Sequence, residues 1–286
     1  MNNILISHRG AIGDFILTWP ALHSLKRLLP DFSVIGVGRS DPMRLAVKMN
    51  LIEDYYDAEG NDMTSFFNGD RLPFGMAPPA GAVLWLTEAD KLGQLLTRTA
   101  TLPIAILKPF AQKRVHTAIH HLRSLRSFYP ITVMKKAGSF CRSLRADKGN
   151  FALIHPGSGG KKKIFKASLY FDIARLLRRN GFHRVMFVLG PVEVEQGMGN
   201  TYAKEDCIKP RDLCELAEHL SQARLYIGND SGASHLSGIL GVPTLAFFRS
   251  TDPAIWGTLG PKTNNIIARN EKEALDEVKK YLHRHA

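Results

Sequence analysis

The chain has 286 residues, of which 44% are hydrophobic and 22% are charged. This composition is typical of a globular protein and suits one large domain or two of about 100–150 residues each. The formal net charge of +12 points to an acidic partner, which could be a nucleic acid, an anionic lipid, or a phosphorylated or carboxylated substrate.

Targeting and redox signals indicate a cytoplasmic protein. The N-terminus MNNILISHRG has no cationic segment before its apolar run, which predicts a first strand rather than a signal peptide. No apolar stretch approaches the roughly 18–20 residues that span a bilayer. Cys141, Cys207 and Cys214 are odd in number and form no C-x-x-C pair, which indicates free thiols in a reducing compartment.

In the first half of the chain, apolar runs of strand length alternate with amphipathic runs of helix length. The predicted strands are Ile4–Ser7, Ser33–Val37, Ala82–Leu86 and Pro103–Leu107. The predicted helices are Asp14–Leu29, Asp41–Met49 and Asp90–Thr99, and Gln112–Phe128 is also helix-like. The segment Asp57–Pro79 is rich in Gly, Pro, Asn and Asp, so we expect it to be mostly loop.

The same alternation restarts at Asn150. The predicted strands are Phe151–His155, Arg184–Leu189, Arg224–Ile227 and Pro243–Phe248. The predicted helices are Leu169–Arg179, Asp212–Ser221, Ser231–Leu240 and Glu271–His285. The pattern does not decide whether the closing helix packs back on the first half.

Continuous apolar strands that alternate with helices predict parallel sheets covered on both faces. We therefore expect an α/β protein of two Rossmann-like, doubly wound domains that face each other across a cleft. The predicted domains are residues 1–148 and 149–286, with the boundary near Ala146–Asn150. Ligands of such sheets bind beyond the carboxyl ends of the strands.

The turn Asp230-Ser231-Gly232 lies between a predicted strand and a predicted helix. A helix N-terminus offers free N–H groups and a positive dipole end, so this turn is suited to hold a phosphate. His235 lies one turn further along the helix, near enough to donate to the same anion. The alternative is that Asp230 is only an N-cap and His235 is only a packed histidine.

A glycine-rich turn with three lysines, His155 to Lys163, follows the first strand of the second half. Its backbone N–H groups and ammonium groups suit a phosphate, although it is not a P-loop. A solvated lysine run is the alternative interpretation. Glu193 follows the next strand, and its carboxylate could accept a hydrogen bond from a ribose hydroxyl.

In the first half, the turn Arg9-Gly10-Ala11-Ile12-Gly13-Asp14 joins the first strand to the first helix. It lacks the full G-x-G-x-x-G pattern, so dinucleotide binding is poorly supported. Asp14 is a helix-start acid by default. A carboxylate at a strand end could also accept a proton from a substrate hydroxyl.

The stretch from Lys91 to Arg145 holds eleven Lys and Arg residues and no Asp or Glu. So many charges of one sign favour anion binding over a merely solvated face. The aromatic residues Trp85, Phe110 and Phe128 are too scattered to stack nucleic-acid bases. The candidate acceptor-binding cations are Arg9, Arg114, Arg123 and Arg126.

The order of these turns resembles glycosyltransferase family 9, the heptosyltransferases that build the inner core of bacterial lipopolysaccharide. The first family signature is matched by Ile12-Gly13-Asp14 followed by Thr18-Trp19-Pro20-Ala21-Leu22. The signatures of the second domain are matched by His155-Pro156-Gly157, Lys163-Ile164-Phe165, Asp230-Ser231-Gly232 with His235, Gly241-Val242-Pro243 and Thr251-Asp252-Pro253.

The resemblance implies a GT-B fold, with the acceptor on the first domain and a nucleotide-sugar donor in the second. It implies an inverting transfer with no cofactor, in which an ADP-sugar is the co-substrate. The sequence has no D-x-D pair that would suggest a metal clamp, and lysine, histidine and a helix dipole can neutralise a diphosphate, so we expect a metal-independent mechanism. Asp14 matches the general base, and Lys163 matches the lysine at the donor diphosphate. The other donor-binding positions are Ser158, Gly159, Lys162, Glu193, Asp230, Ser231, Gly232 and His235.

The implied acceptor is an anionic glycolipid, with peripheral contact to the cytoplasmic face of the inner membrane and no nucleic-acid partner. Two residues depart from the family pattern: Phe165 stands in place of a tryptophan, and Arg249 in place of a glycine. A long cation at residue 249 is expected to shape the donor pocket or to touch the acceptor. The alternatives are a non-catalytic nucleotide-sugar or polyanion-binding module, a nucleic-acid-binding protein, and a sugar-nucleotide epimerase.

Overall fold

The computed structural model describes residues 3–111, 114–134, 140, 144 and 149–285. The chain divides into two compact units, residues 1–136 and 137–286. The expected boundary near Ala146–Asn150 falls largely outside the described residues. The division into domains 1–148 and 149–286 therefore stays a prediction.

The first unit is a five-stranded parallel sheet with the order β3-β2-β1-β4-β5. Its strands are β1 (Asn3–His8), β2 (Ser33–Gly38), β3 (Asp54–Asp57), β4 (Gly81–Trp85) and β5 (Ile104–Ile106). Its helices are α1 (Ile12–Leu28), α2 (Ser40–Lys48), α3 (Met63–Phe67), α4 (Asp90–Thr97) and α5 (Thr117–Arg126).

The segment that was expected to be mostly loop contains the helix α3. Met63 and Phe66 of this helix, together with Met76 beyond it, are buried in the core of the unit. Burial of these apolar side chains overrides the turn-rich local composition, which carries no helical period of its own. The helix-like stretch before Phe128 forms a helix only over α5, and residues 112–113 lie outside the described residues.

The second unit is a six-stranded parallel sheet with the order β11-β10-β9-β6-β7-β8. Its strands are β6 (Phe151–His155), β7 (Arg184–Val188), β8 (Cys207–Ile208), β9 (Leu225–Asn229), β10 (Thr244–Phe248) and β11 (Thr263–Ile267). Its helices are α6 (Ala167–Arg179), α7 (Pro191–Glu195), α8 (Met198–Thr201), α9 (Leu213–Gln222), α10 (Gly232–Ile239), α11 (Pro253–Trp256) and α12 (Glu271–His285), and a 3-10 turn spans Lys161–Lys163.

Both sheets have the strand order of a doubly wound Rossmann fold. Counted within each unit, the order is 3-2-1-4-5 in the first and 3-2-1-4-5-6 in the second. The chain reverses its direction of winding between β1 and β4 and again between β6 and β9. These two switch points are where open α/β sheets bind their ligands.

The closing helix α12 packs against α6 and β11 of the second unit. Ala274, Val278 and Leu282 recur every four residues and are buried in the core of that unit. This spacing places them on one face of the helix. The sequence pattern left the position of this helix open, and burial of this face fixes it.

Other sequence expectations concern thiols and membrane spans. Within the described residues, Cys207 and Cys214 form no disulfide bond, and Cys141 lies outside those residues. Within the described ranges, no helix is both long and apolar enough to cross a membrane.

Two buried histidines of the first unit are held in the neutral form. His8 at the end of β1 and His121 in α5 are 5% and 1% exposed. Burial lowers the pKa of His8 to about 4. Burial, and then the neighbouring His120, His8 and His116, lowers the pKa of His121 to about 3. A proton therefore binds more tightly to the unfolded chain, where histidine has a pKa of about 6.5.

We predict that these histidines make the protein sensitive to mild acid. As the pH falls from about 6.5 towards 4, each costs up to about 1.4 kcal/mol of unfolding free energy per pH unit. The variant His121→Phe should therefore lose less stability than the wild type between pH 7 and pH 5 in urea titrations. The exposed His183→Gln serves as the control and should follow the wild type, whereas identical pH slopes for all three proteins would contradict the prediction.

Candidate functional site

Polar residues converge where β6 and β9 end, at the switch point of the second sheet. The two strands are adjacent and parallel, with His155 opposite Gly228, so the loops that follow them leave the sheet side by side. The hydroxyl of Ser158 donates to the carbonyl oxygen of Asp230 at 2.7 Å. This bond joins the glycine-rich turn to the Asp230-Ser231-Gly232 turn.

Asn229, the last residue of β9, fixes the first part of the glycine-rich turn. It is fully buried, and its Nδ2 donates to the carbonyl oxygens of Pro156 at 2.8 Å and Gly157 at 3.1 Å. Its Oδ1 accepts from the hydroxyl of Tyr170 in α6 at 2.8 Å. The turn is therefore positioned by the core of the unit.

The carboxylate of Asp230 is the centre of a group of polar side chains, called here the Asp230 cluster. Its Oδ2 accepts from the ammonium of Lys163 at 2.6 Å and from the hydroxyl of Thr251 at 2.6 Å. Its Oδ1 lies 3.6 Å from Nε2 of His235. The three partners come from the loop after β6, the loop after β10 and the helix α10.

Asp230 stays ionised although it is only 4% exposed. Burial alone would raise the pKa of this carboxyl. The interactions with His235, Lys163 and Thr251 together outweigh burial and lower the pKa to about 2. The site therefore holds a fixed negative charge surrounded by donors.

Ser231, and not Asp230, caps the helix α10. Its Oγ accepts from the N–H of Ser234 at 3.4 Å and lies 3.3 Å from Nδ1 of His155. The interpretation of Asp230 as only an N-cap is thus wrong. Gly232 and Ala233 occupy the first two helical positions, where helix geometry gives the N–H groups no intrahelical acceptor.

His235 is 4% exposed, and its Nδ1 is buried. Among the described residues, this atom has no hydrogen-bond partner. A buried polar atom without a partner costs about 1–3 kcal/mol. Such an atom beside a helix N-terminus marks a position where a ligand that supplies a hydrogen bond gains free energy.

Glu193 of α7 belongs to the same cluster. Its Oε2 accepts from the backbone N–H of Gly190 at 2.9 Å, and its Oε1 lies 3.5 Å from Nε2 of His155. Burial acts to raise the pKa of this carboxyl, but the hydrogen bond and charge of His155 and the backbone N–H groups lower it on balance. Glu193 is therefore a buried acid tied to the glycine-rich turn, rather than a solvated surface glutamate.

Gly157 leaves space for that carboxylate. A Cβ at this residue would lie 1.9 Å from Oε1 of Glu193, whereas a Cβ at Gly159 would meet nothing within 4 Å. The two glycines of this turn therefore have different roles. The missing side chain of Gly157 lets Glu193 pack against the turn, whereas a side chain at the exposed Gly159 would contact nothing.

We predict that Gly157→Ala displaces Glu193 and lowers stability, because the new methyl group and the buried carboxylate cannot share one space. The expected cost is about 1–3 kcal/mol, as for other overpacked sites. Thermal and urea unfolding measure it, with Gly159→Ala as the matched control, for which we expect a change within about 0.5 kcal/mol. Equal effects of the two substitutions would refute this account.

Two of the predicted site residues of the first unit, Asp14 and Arg9, lie close to the end of β1. Asp14 lies in the first turn of α1, directly after β1. A Cβ at Gly10 would lie 3.0 Å from Cε1 of His8 and 3.6 Å from Oδ2 of Asp14, so the imidazole and the carboxylate flank this glycine. The guanidinium of Arg9 lies 4.5 Å from the ring centroid of Phe67.

The remaining predicted cations are exposed. Arg123 and Arg126 lie in the last turn of α5, and Arg114 precedes that helix. Lys162 is exposed within the 3-10 turn. Five cations of the basic stretch lie outside the described residues: Lys113, Lys135, Lys136, Arg142 and Arg145.

Three residues of the cluster were not among the predicted site residues: His155, Asn229 and Thr251. Thr251 stands in the T-D-P signature, and its hydroxyl reaches a carboxylate 21 residues earlier in the chain. Only the signature could have pointed to it. Among the described residues, no group of three or more His, Cys, Asp and Glu side chains is placed to hold a metal ion.

Two doubly wound sheets, with polar turns at both switch points, define a two-domain α/β protein of the Rossmann-like class. A family model described as glycosyltransferase family 9 (heptosyltransferase) matches residues 109–285. The chain belongs to this family of glycosyltransferases. A Haemophilus influenzae protein, provisionally named a glycosyltransferase, is 25% identical over 93% of this chain and 88% of its own length.

Solved structures show the same fold. The heptosyltransferase WaaC of E. coli, solved with ADP, superposes with a TM-score of 0.77 at 18% identity and covers 99% of this chain and 100% of its own. A family 9 glycosyltransferase from Veillonella parvula superposes with a TM-score of 0.75 at 17% identity and covers 98% of this chain and 89% of its own. The architecture is therefore GT-B, with two parallel-sheet α/β domains.

Proposed function

We propose that the protein is an inverting glycosyltransferase that moves a sugar, heptose from ADP-heptose, to an anionic lipopolysaccharide-core or related glycolipid acceptor. One observation carries the proposal: a lysine, a buried histidine and a helix N-terminus surround the turn after β9 at the switch point of the second sheet. These are the groups that hold a diphosphate.

The donor occupies the second unit in this proposal. The N–H groups of Ser231 and Gly232 bind the diphosphate, Lys163 neutralises part of its charge, and His235 donates a hydrogen bond to it. Ser158, Gly159 and Lys162 contact it from the glycine-rich turn, and the carboxylate of Glu193 accepts from a ribose hydroxyl. Asp230 carries a negative charge, so its part is to orient Lys163 and His235 rather than to bind the phosphates itself.

An ADP-sugar is the proposed donor because of the relatives. The E. coli heptosyltransferase WaaC has been solved with ADP and with ADP-2-deoxy-2-fluoro heptose. A nucleotide-sugar is a co-substrate that is consumed in each turnover, so no resident cofactor is proposed.

The chemistry follows from where charge develops. Displacement at the anomeric carbon builds negative charge on the departing diphosphate, and donors that are fixed beforehand stabilise that charge. Removal of one such donor typically costs about 3 kcal/mol, or on the order of 10²–10³ in rate. Lysine, histidine and the helix dipole can perform this task without a metal ion.

Asp14 is the proposed general base. It accepts the proton of the acceptor hydroxyl as that oxygen attacks the anomeric carbon. The burial of His8 keeps its imidazole neutral at pH 7, so this neighbour adds no positive charge that would weaken the basicity of Asp14.

The first unit is the proposed acceptor domain. The basic stretch Lys91–Arg145, together with Arg9, would attract the phosphate or carboxylate groups of a glycolipid. We propose a cytoplasmic enzyme in peripheral contact with the inner membrane surface, with no nucleic-acid partner.

We predict that ADP stabilises the folded protein and that GDP, UDP and CDP do so less. A ligand at 100 times its Kd adds about 2.7 kcal/mol to the free energy of unfolding.

Lys163→Met should weaken ADP binding at least tenfold, because a charge-assisted hydrogen bond is worth about 1.5–3 kcal/mol. Titration calorimetry measures the affinity.

Two controls accompany this test. Lys163→Arg keeps the charge and should retain part of the affinity, while Lys204→Met changes an exposed lysine elsewhere and should bind as the wild type does. No stabilisation by any of the four nucleotides, for protein shown to be folded, would contradict the donor assignment.

We predict that Asp14→Asn abolishes sugar transfer and leaves ADP affinity unchanged, since the amide cannot take the proton of the acceptor. Transfer from ADP-heptose to a lipopolysaccharide-core acceptor is the assay. The control Asp90→Asn changes another acid in the first turn of a helix of the same unit and should keep full activity. Retained turnover in Asp14→Asn would disprove the role of this residue, whereas ADP binding without transfer in the wild type would favour a non-catalytic binding module.

A further inference from the structure

The second unit contains a cavity beside the Asp230 cluster that the proposed diphosphate site does not use. Its volume is about 520 Å³, and its lining includes Lys161, Phe165, Lys166, Met198, Arg249 and Glu271. Lys163, Asp230, Ser231 and Glu193 do not line it. The volume lies within the range of about 300–1,000 Å³ that small-molecule sites occupy.

Arg249, which follows β10, is held at this cavity by two contacts. Its Nη1 donates to the carbonyl oxygen of Ile164 at 2.7 Å. Its guanidinium lies 5.1 Å from the ring centroid of Phe165. The ring in turn packs edge-on against Phe247 in the core, with centroids 5.9 Å apart. The cation is thus positioned in advance, which reduces the entropy lost when it binds a partner.

The two departures from the family pattern contact each other here. Phe165 and Arg249 were noted separately in the sequence, and the structure joins them in one cation–π pair at the wall of the cavity. The cation–π pair and the hydrogen bond to Ile164 hold the guanidinium in place and use only part of its set of donors.

The charges of the cavity wall favour an anion. Three cations, Lys161, Lys166 and Arg249, stand against one carboxylate, that of Glu271. Oε1 of Glu271 already accepts from the backbone N–H of Lys166 at 3.1 Å. A guanidinium has five N–H donors on three nitrogen atoms, and the hydrogen bond to Ile164 uses only Nη1 of Arg249. The remaining N–H donors suit the paired oxygens of a phosphate or a carboxylate.

We infer that this cavity binds a sugar unit that carries an anionic group, a phosphate or a carboxylate, with Arg249 as the residue that selects for the charge. Met198, which is partly exposed, offers apolar surface to the sugar ring, and the cations meet the oxyanion. The inference rests on the proposed function only in taking the sugar from a substrate of the transfer. The charged sugar belongs either to the donor or to the acceptor.

Binding of simple probes to the full chain tests the inference. Titration calorimetry compares glucose 6-phosphate and glucuronate with uncharged glucose. We expect the charged probes to bind at least tenfold more tightly than glucose. Arg249→Met should remove at least tenfold of that affinity, and Arg249→Lys, which lacks the planar fork, should fall between the two.

Controls separate this site from the diphosphate site and from the stability of the fold. Arg284→Gln removes an exposed cation from the far end of α12 and should bind the charged probes as the wild type does. ADP affinity should stay the same in all Arg249 variants. If ADP fails to bind any of these proteins, the proposed donor site fails, but the response of the charged probes to Arg249→Met still decides the inference about the cavity.

Competition identifies the source of the sugar. Displacement of the charged probe by an ADP-sugar whose sugar carries a carboxylate, but not by ADP or ADP-heptose, would place a charged donor sugar in the cavity. Binding of the probe alongside an ADP-sugar would assign the cavity to the acceptor. Either result supports the inference. Displacement by ADP-heptose, whose sugar carries no anionic group, would contradict the selection for charge. Equal binding of charged and uncharged probes, no binding of any probe, or unchanged affinity in Arg249→Met would overturn it.

Discussion

A buried negative charge is the constraint on which the site of the second unit depends. An ionised carboxylate persists away from water only when donors surround it, because its desolvation costs several kcal/mol. Asp230 meets this condition through Lys163, Thr251 and His235. The carboxylate thereby holds two cation-capable side chains beside the N-terminus of α10, and it could not be removed without releasing them.

The topology of the sheet makes this convergence possible. Parallel strands end at one edge, and the switch point between β6 and β9 leaves two neighbouring loops with no crossover helix between them. Lys163 and Asp230 are 67 residues apart in the chain and still meet. In the first unit, Asp14 follows β1 at the corresponding switch point, which is why one fold repeated twice can supply two different chemical groups.

The sequence predicted the fold well where burial leaves a clear apolar pattern, either a helical spacing or a continuous run. The bounds of α12 follow from the spacing of Ala274, Val278 and Leu282, and the fully buried strands β4, β9 and β10 follow from continuous apolar runs. Short or half-exposed elements were missed. β8 has only two residues, and β11 is exposed at three of its five residues, so neither carries a clear period.

The site was predictable only in part, for a related reason. Local chemistry marked the lysine-rich turn and the Asp230 turn, because glycine, lysine and helix-start residues stand together in the chain. It could not show that Ser231 would be the cap, since Asp and Ser are both good N-caps. Nor could it show that Thr251 donates to Asp230, because that contact depends on the position of β10 beside β9. The family resemblance pointed to these residues, and their roles in binding remain predictions.

The short helix α7 has a consequence for how two ligands would interact. Glu193 in its first turn reaches the glycine-rich turn, while Gln196, the residue directly after the helix, lines the cavity beside Arg249. Because the helix is only one turn long, a movement of the whole helix that displaces Glu193 would also move Gln196. Such a coupling would act equally in both directions: the occupant of the cavity would alter the affinity at Glu193 by the same factor.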